Sequence, residues 1–193
     1  MKLLKRIIGT RPSKNDVNTL VLSTQMLNKR FRAVELIHYS NVAFLLNIIY
    51  TKSLGDNDAE SKYQKLLQGD INLPLELIDC KIDFARVDKI IRGYGLSSVN
   101  TFYKEGLGTI TSNEEIRAFG NKDYAVICET EKDIIKHIWF TGKSSSDKHK
   151  TILERISVTI GVELDLVAIQ WLPRRYFFLF SPDDAKDFVR HSF

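Results

Sequence analysis

Between Leu166 and Ile169, and again between Tyr176 and Phe180, apolar side chains fill consecutive positions of two segments rich in branched and aromatic residues, VELDLVAIQWL (162–172) and RYFFLF (175–180). A strand that alternates apolar and polar residues has one wet face, whereas a strand apolar at every position is covered on both. The rest of the chain must therefore supply layers for both sides of a sheet. The short connection through Pro173 and Arg174 predicts an antiparallel hairpin. Most of its aromatics then belong to a sheet interior, and they do not form a base-stacking platform, which needs rings on one exposed face. The part left for contact is the tip, Arg174 and Arg175 with Trp171 and Tyr176 at its margins, an arginine and aromatic set of the kind that anchors protein interfaces.

The covering helices announce themselves by their caps. Ser181-Pro182-Asp183-Asp184 places a serine cap, a proline at the first helical position and two acids favourable to the dipole, and predicts a last helix to about Arg190. Ser146 or Asp147 opens a helix whose face carries Ile152, Leu153, Ile156 and Ile160 and which Gly161 ends. Ser112-Asn113-Glu114-Glu115 reads as a capping box before a short helix closed by Gly120. The strand DYAVIC follows at 123–128. Thr130 and Asp133 then start another helix through Ile134, Ile135, Ile138 and Trp139, ending near Gly142.

The N-terminal half is more ambiguous. In 72–95 the stripe Leu77, Cys80, Phe84, Val87 and Ile91 favours a helix, although Ile78, Cys80, Ile82 and Phe84 also alternate as a strand would. VNTFYK and LGTITS around Glu105-Gly106 predict a second hairpin. VELIHY and VAFLLNIIYTK fit two strands or one buried helix. GDNDAES at 55–61 is a polar loop before a short helix. The expected fold class is thus α/β of the α+β type: a mixed, largely antiparallel sheet with hairpins at about 99–111 and 162–180, covered by helices, in a single domain spanning 1–193.

With 193 residues, 44% of them hydrophobic, the chain can bury a continuous core without metal or disulfide support. Cys80 and Cys128 lie in apolar settings and read as reduced core thiols of a cytoplasmic protein. VAFLLNIIY at 42–50 is far shorter than the roughly 20 residues of a spanning helix, and Lys5 and Arg6 interrupt the N-terminus, so neither a transmembrane segment nor a secretory signal is expected. The net charge of +4 is unevenly placed: residues 1–32 hold eight basic side chains against Asp16, a net of +7, and the remainder is −3. The basic arm at about 1–30 makes nucleic acid a possible partner through Lys2, Lys5, Arg6 and Arg11, although a solvated helix face also explains it.

No motif carries chemistry unaided, and no cofactor or metal is expected. FTGKSS at 140–145 has the end of a P-loop, but the glycine needed five positions before Gly142 is His137. Gly106 and Gly108 lack the third glycine of a dinucleotide fingerprint. Of His38, His137, His149 and His191, only His137 and His149 are candidates for an acid/base pair, if two helices bring them together. Asp79-Cys80-Lys81 matches the acid-x-Lys element of metal-dependent nucleases, with Glu76 or Asp70 as further ligands, and requires a strand. Glu129, Glu131 and Asp133 cluster after a strand, where sites of α/β proteins often lie, and capping accounts for Asp133.

In size and character, a small motif-free α/β chain with capped helices and an acidic body resembles the immunity proteins of bacterial toxin systems. That resemblance implies a non-enzymatic protein that neutralises one cognate toxin by one-to-one occlusion, and it transfers no residue. The sequence pI of about 9.0 departs from the acidic balance usual opposite a nuclease toxin, and the acidic body reduces that departure. The candidate contact residues are Trp171, Arg174, Arg175 and Tyr176 at the tip, Asp56 and Asp58 in the polar loop, and Glu129 and Glu131. The alternatives are a metal-dependent nuclease and a nucleic-acid-binding module.

Overall fold

A computed structural model describes residues 19–22, 34–53, 57–68, 72–99, 101–104, 108–111, 115–121, 124–142, 146–171 and 174–192. The elements in chain order are β1 (Thr19–Leu22), β2 (Val34–His38), α1 (Val42–Ser53), α2 (Asn57–Gln68), α3 (Phe84–Gly93), β3 (Ser98–Val99), β4 (Thr101–Lys104), β5 (Gly108–Thr111), β6 (Ile116–Gly120), β7 (Tyr124–Glu131), β8 (Ile134–Gly142), α4 (Asp147–Leu164), β9 (Leu166–Gln170), β10 (Arg175–Phe177) and α5 (Pro182–Ser192). Seven strands form one antiparallel sheet in the order β10-β9-β2-β8-β7-β6-β3, and β1-β4-β5 form a small mixed sheet in which β1 and β4 run parallel. The fold is a mixed α/β one with a largely antiparallel sheet decorated by helices.

The doubly apolar strand is where it should be. Every residue of β9 is buried, with Leu166 and Ala168 packed among α3, α4 and α5 on one face and Val167 and Ile169 among α1 and α2 on the other. The second face continues toward β3 through Trp139, Ile127, Ala125, Ala118 and Val99. The β9–β10 pair is antiparallel, with Gln170 opposite Arg175 and Ala168 opposite Phe177. Phe178 to Phe180 leave the strand, however, and Phe180 is exposed, so the apolar run is only partly interior. The 101–111 hairpin forms as expected, Thr101 opposite Thr111.

The expected helix over 130–142 is a strand. Lys132 and Asp133 both take left-handed backbone angles (φ 50 and 63), making a tight turn from β7 into β8. The helical spacing of Ile135 and Ile138 arises from a bulge: Glu129 faces His137 and Thr130 faces Ile135, so Lys136 is the extra residue and both isoleucines reach the same core. The expected helix ending at Gly120 is β6, paired with β7, and Ser112 to Glu114 lie outside the described residues. Gly120 (φ 144) serves a close approach, since a Cβ there would sit 2.2 Å from the Tyr124 carbonyl oxygen.

Residues 72–95 divide between the two templates. Leu77 to Lys81 form turns, with i to i+3 bonds from Asp79, Cys80 and Lys81, and Lys81 (φ 52) leaves the helical region. Asp83 then restarts the chain as the cap of α3, its Oδ1 accepting from the Ala85 amide at 2.8 Å. Segment 34–53 is neither two strands nor one helix but β2 followed by α1, with a 3-10 turn at Tyr39–Asn41 between them. The α4 helix starts after Ser146 as expected but runs through Gly161 to Leu164, where Asp165 (φ 54) ends it. Ser181 caps α5, its Oγ accepting from the Asp184 amide at 3.4 Å. Among the described residues no helix is long and apolar enough to cross a membrane.

Candidate functional site

The tip of the β9–β10 hairpin is tied inward. Trp171 is fully buried, its Nε1 donating to Glu35 Oε2 at 3.1 Å, so it is core and not a contact residue. Arg174, in a left-handed turn position, gives both terminal nitrogens to Glu60 (2.9 and 2.8 Å) and lies 4.0 Å above the Tyr63 ring. This bidentate pair holds the guanidinium charged and fastens α2 to the hairpin. The Tyr63 hydroxyl donates to the Trp171 carbonyl, and burial pushes the phenol up to about 12. Arg175 is exposed and Tyr176 half-buried. Asp58 lies in α2, whereas Asp56, Asp70 and the basic Lys2, Lys5, Arg6 and Arg11 lie outside the described residues.

Beside that tip is a surface that periodicity missed. Among the described residues the exposed large hydrophobics are Tyr39 (49%), Val162 (59%) and Phe180 (49%). They come from three distant segments, and two of them, Tyr39 and Phe180, meet at one corner of the sheet. Tyr39 lies 6.0 Å from Phe180 and 6.2 Å from Phe178 between ring centroids, and Tyr176 lies 5.3 Å from Phe178. Val162 follows Gly161, against whose Cα the Leu179–Phe180 backbone rests. Acids border this cluster: exposed Asp165, whose carbonyl accepts the Tyr39 amide at 2.8 Å, Asp184, which accepts the Phe178 amide at 3.2 Å, and, next in the chain, exposed Glu163 and Asp183. Two cations adjoin this surface: Arg86, whose guanidinium donates to the Glu163 carbonyl, and Arg175, next to Tyr176 in the chain.

Glu129 and Glu131 stand with Glu115 and Asp133 around a surface cleft of about 580 Å³ to which Lys132 and Lys136 also contribute. Asp133 caps nothing; its Oδ1 takes a 2.7 Å bond from Arg117, whose guanidinium lies 4.0 Å over the Phe84 ring. Among the described residues no group of three His, Cys, Asp or Glu is arranged to hold a metal. The acid-x-Lys element lies in the 77–81 turn with Asp79 and Lys81 exposed, so the strand that a nuclease site requires there is missing.

His137 and His149 do not meet. The His149 ring lies against Tyr124 at 4.9 Å on the α4 side, whereas His137 is on the opposite face of β8. Its Nδ1 is 2.6 Å from Oε1 of Glu35, a carboxylate 2% exposed in the middle of the sheet. Sequence inspection passed over Glu35, yet an acid inside VELIH, a strand buried through its middle, is the available signal. Beside the pair is a pocket of about 20 Å³, room for about one water, with Leu73, Leu75, Leu77 and Lys136 in its wall. Buried Asn41 fixes that wall by donating to the Leu75 carbonyl (2.7 Å) and accepting from its amide (3.0 Å).

The architecture defines an α/β protein built on an antiparallel seven-stranded sheet with helices on both faces. Comparison with protein-family models, with curated proteins and with solved structures finds no match.

Proposed function

We propose that this chain is a protein-binding protein of the immunity kind, which docks one partner through the aromatic corner formed by Tyr39, Val162, Tyr176, Phe178 and Phe180. The observation that carries it is the cluster in which exposed Tyr39 and Phe180 meet each other and the half-buried Phe178 and Tyr176. Scattered apolar side chains are ordinary on a protein surface, whereas a contiguous aromatic patch with a polar rim is the anatomy of an interface. Glu163, Asp165 and Asp183 outnumber the cations Arg86 and Arg175 at that rim, and the acidic surplus favours a basic partner. Occlusion of such a partner, a nuclease domain for example, would need no turnover at this surface.

The test uses the protein encoded beside this chain, expressed with it and analysed by light scattering. A one-to-one complex that silences the partner is expected, and Phe180→Asp with Tyr39→Asp should weaken it by about 2 kcal/mol or more per anchor. Absence of a complex, or a complex indifferent to both substitutions, would overturn the proposal.

A further inference from the structure

On the face of the sheet that carries α1 and α2, three strands bring together groups that no packing requirement demands. Glu35 of β2 is held from two sides, by the Trp171 indole at 3.1 Å and by His137 Nδ1 at 2.6 Å. A carboxylate bonded to one imidazole nitrogen puts the proton on that nitrogen and leaves the other as an acceptor, the arrangement a general base requires. Nε2 of His137 has no hydrogen-bond partner among the described residues, and the ring lines the pocket that has room for about one water. The bulge in β8 inserts Lys136 immediately beside it, and Lys136 lines both this pocket and the larger cleft of about 580 Å³. Bulges of this kind re-aim side chains next to active sites. Base, orienting carboxylate and cation thus share the small pocket, and Lys136 connects it to the cleft.

We propose that His137, positioned by Glu35, is the general base of a hydrolytic site for small carboxylic esters or thioesters. A water in the pocket attacks the carbonyl carbon as its proton passes to His137 Nε2. Lys136 faces the negative charge that develops on the carbonyl oxygen. The carbon–heteroatom bond then breaks, and the imidazolium returns the proton to the departing alcohol or thiol, so that ester and water become acid and alcohol or thiol. Glu35 acts only through the ring. The cleft carries Glu115, Glu129, Glu131 and Asp133 against Lys132 and Lys136, which favours neutral or cationic substrates over polyanions. This site is separate from the aromatic corner, and its outcome is independent of the docking proposal.

Three probes decide it: p-nitrophenyl acetate (neutral), acetylthiocholine (cationic) and bis(p-nitrophenyl) phosphate (anionic). Saturable cleavage of the first two and none of the third is expected. His137→Gln, which can still donate to Glu35, should lower kcat by about 100-fold or more with its melting temperature unchanged. Lys136→Met should lower kcat with little change in KM. Glu35→Gln tests positioning: it should reduce kcat at constant KM and alter the His137 tautomer seen by nitrogen-15 NMR, with partial rescue by Glu35→Asp. Failure to turn over either ester, or turnover untouched by His137→Gln, would overturn the proposal.

Discussion

Glu35 shows how much one position can depend on partners remote in sequence. Its carboxylate, 2% exposed, is tolerable in a sheet interior because His137 and Trp171, 102 and 136 residues away, satisfy its oxygens. Truncation by Glu35→Ala should cost about 3 kcal/mol, measured by urea unfolding, because the indole and imidazole are left without their acceptor. Two other buried groups set an alkaline limit. Burial pushes Cys128 from 9.0 up to about 12 and Tyr63 from 10.0 up to about 12. Both ionise at lower pH in the unfolded chain, so the folded state binds more protons and their contribution to stability is complete below pH 9. Urea midpoints should hold to about pH 9 and fall progressively as pH rises toward 12; a flat midpoint across that window would contradict the burial of both groups.

At the level of elements, local signals were reliable where one end of a helix is decided by a few neighbouring residues. Ser146 before α4 and Ser181-Pro182 before α5 are such cases. Capping chemistry misled where sheet pairing competed for the same residues: Thr130 and Asp133 could cap a helix, but β7 and β2 pair with both edges of β8. Gly161 looked like a helix stop and is instead a packing site inside α4, where an added Cβ would lie 2.5 Å from Leu179 Cβ. Gly161→Ala should therefore destabilise the protein by about 1–3 kcal/mol despite the better helix propensity of alanine. A stabilised variant in thermal melts would show that the 179–180 turn yields easily.

Across the whole molecule, charge and exposed apolar surface are separated from the doubly covered sheet. The aromatic corner joins Tyr39 before α1 to Phe180 before α5, with exposed Val162 in α4 next to the Gly161 on which the Leu179–Phe180 segment rests. An acidic rim predicts that association with a basic partner is accelerated by charge. Raising sodium chloride from about 50 to 500 mM should lower the association rate by an order of magnitude or more while changing dissociation much less. Equal association rates at both salts would leave the apolar contact as the sole determinant.

The sequence by itself determined the α/β class, both hairpins, two helix starts and a sheet covered on both faces, because these follow from apolar patterning and from turn and cap residues within a few positions. It left the use of its conspicuous side chains open. Arg174 and Arg175 are adjacent and chemically identical, yet one is locked to Glu60, 114 residues away, and the other is exposed. Trp171 entered the core, Phe180 left it, and His137 found Glu35 instead of His149. These outcomes were decided by strand order and by one bulge, both properties of long-range pairing, which fix the neighbours of a side chain without leaving a local pattern in the chain.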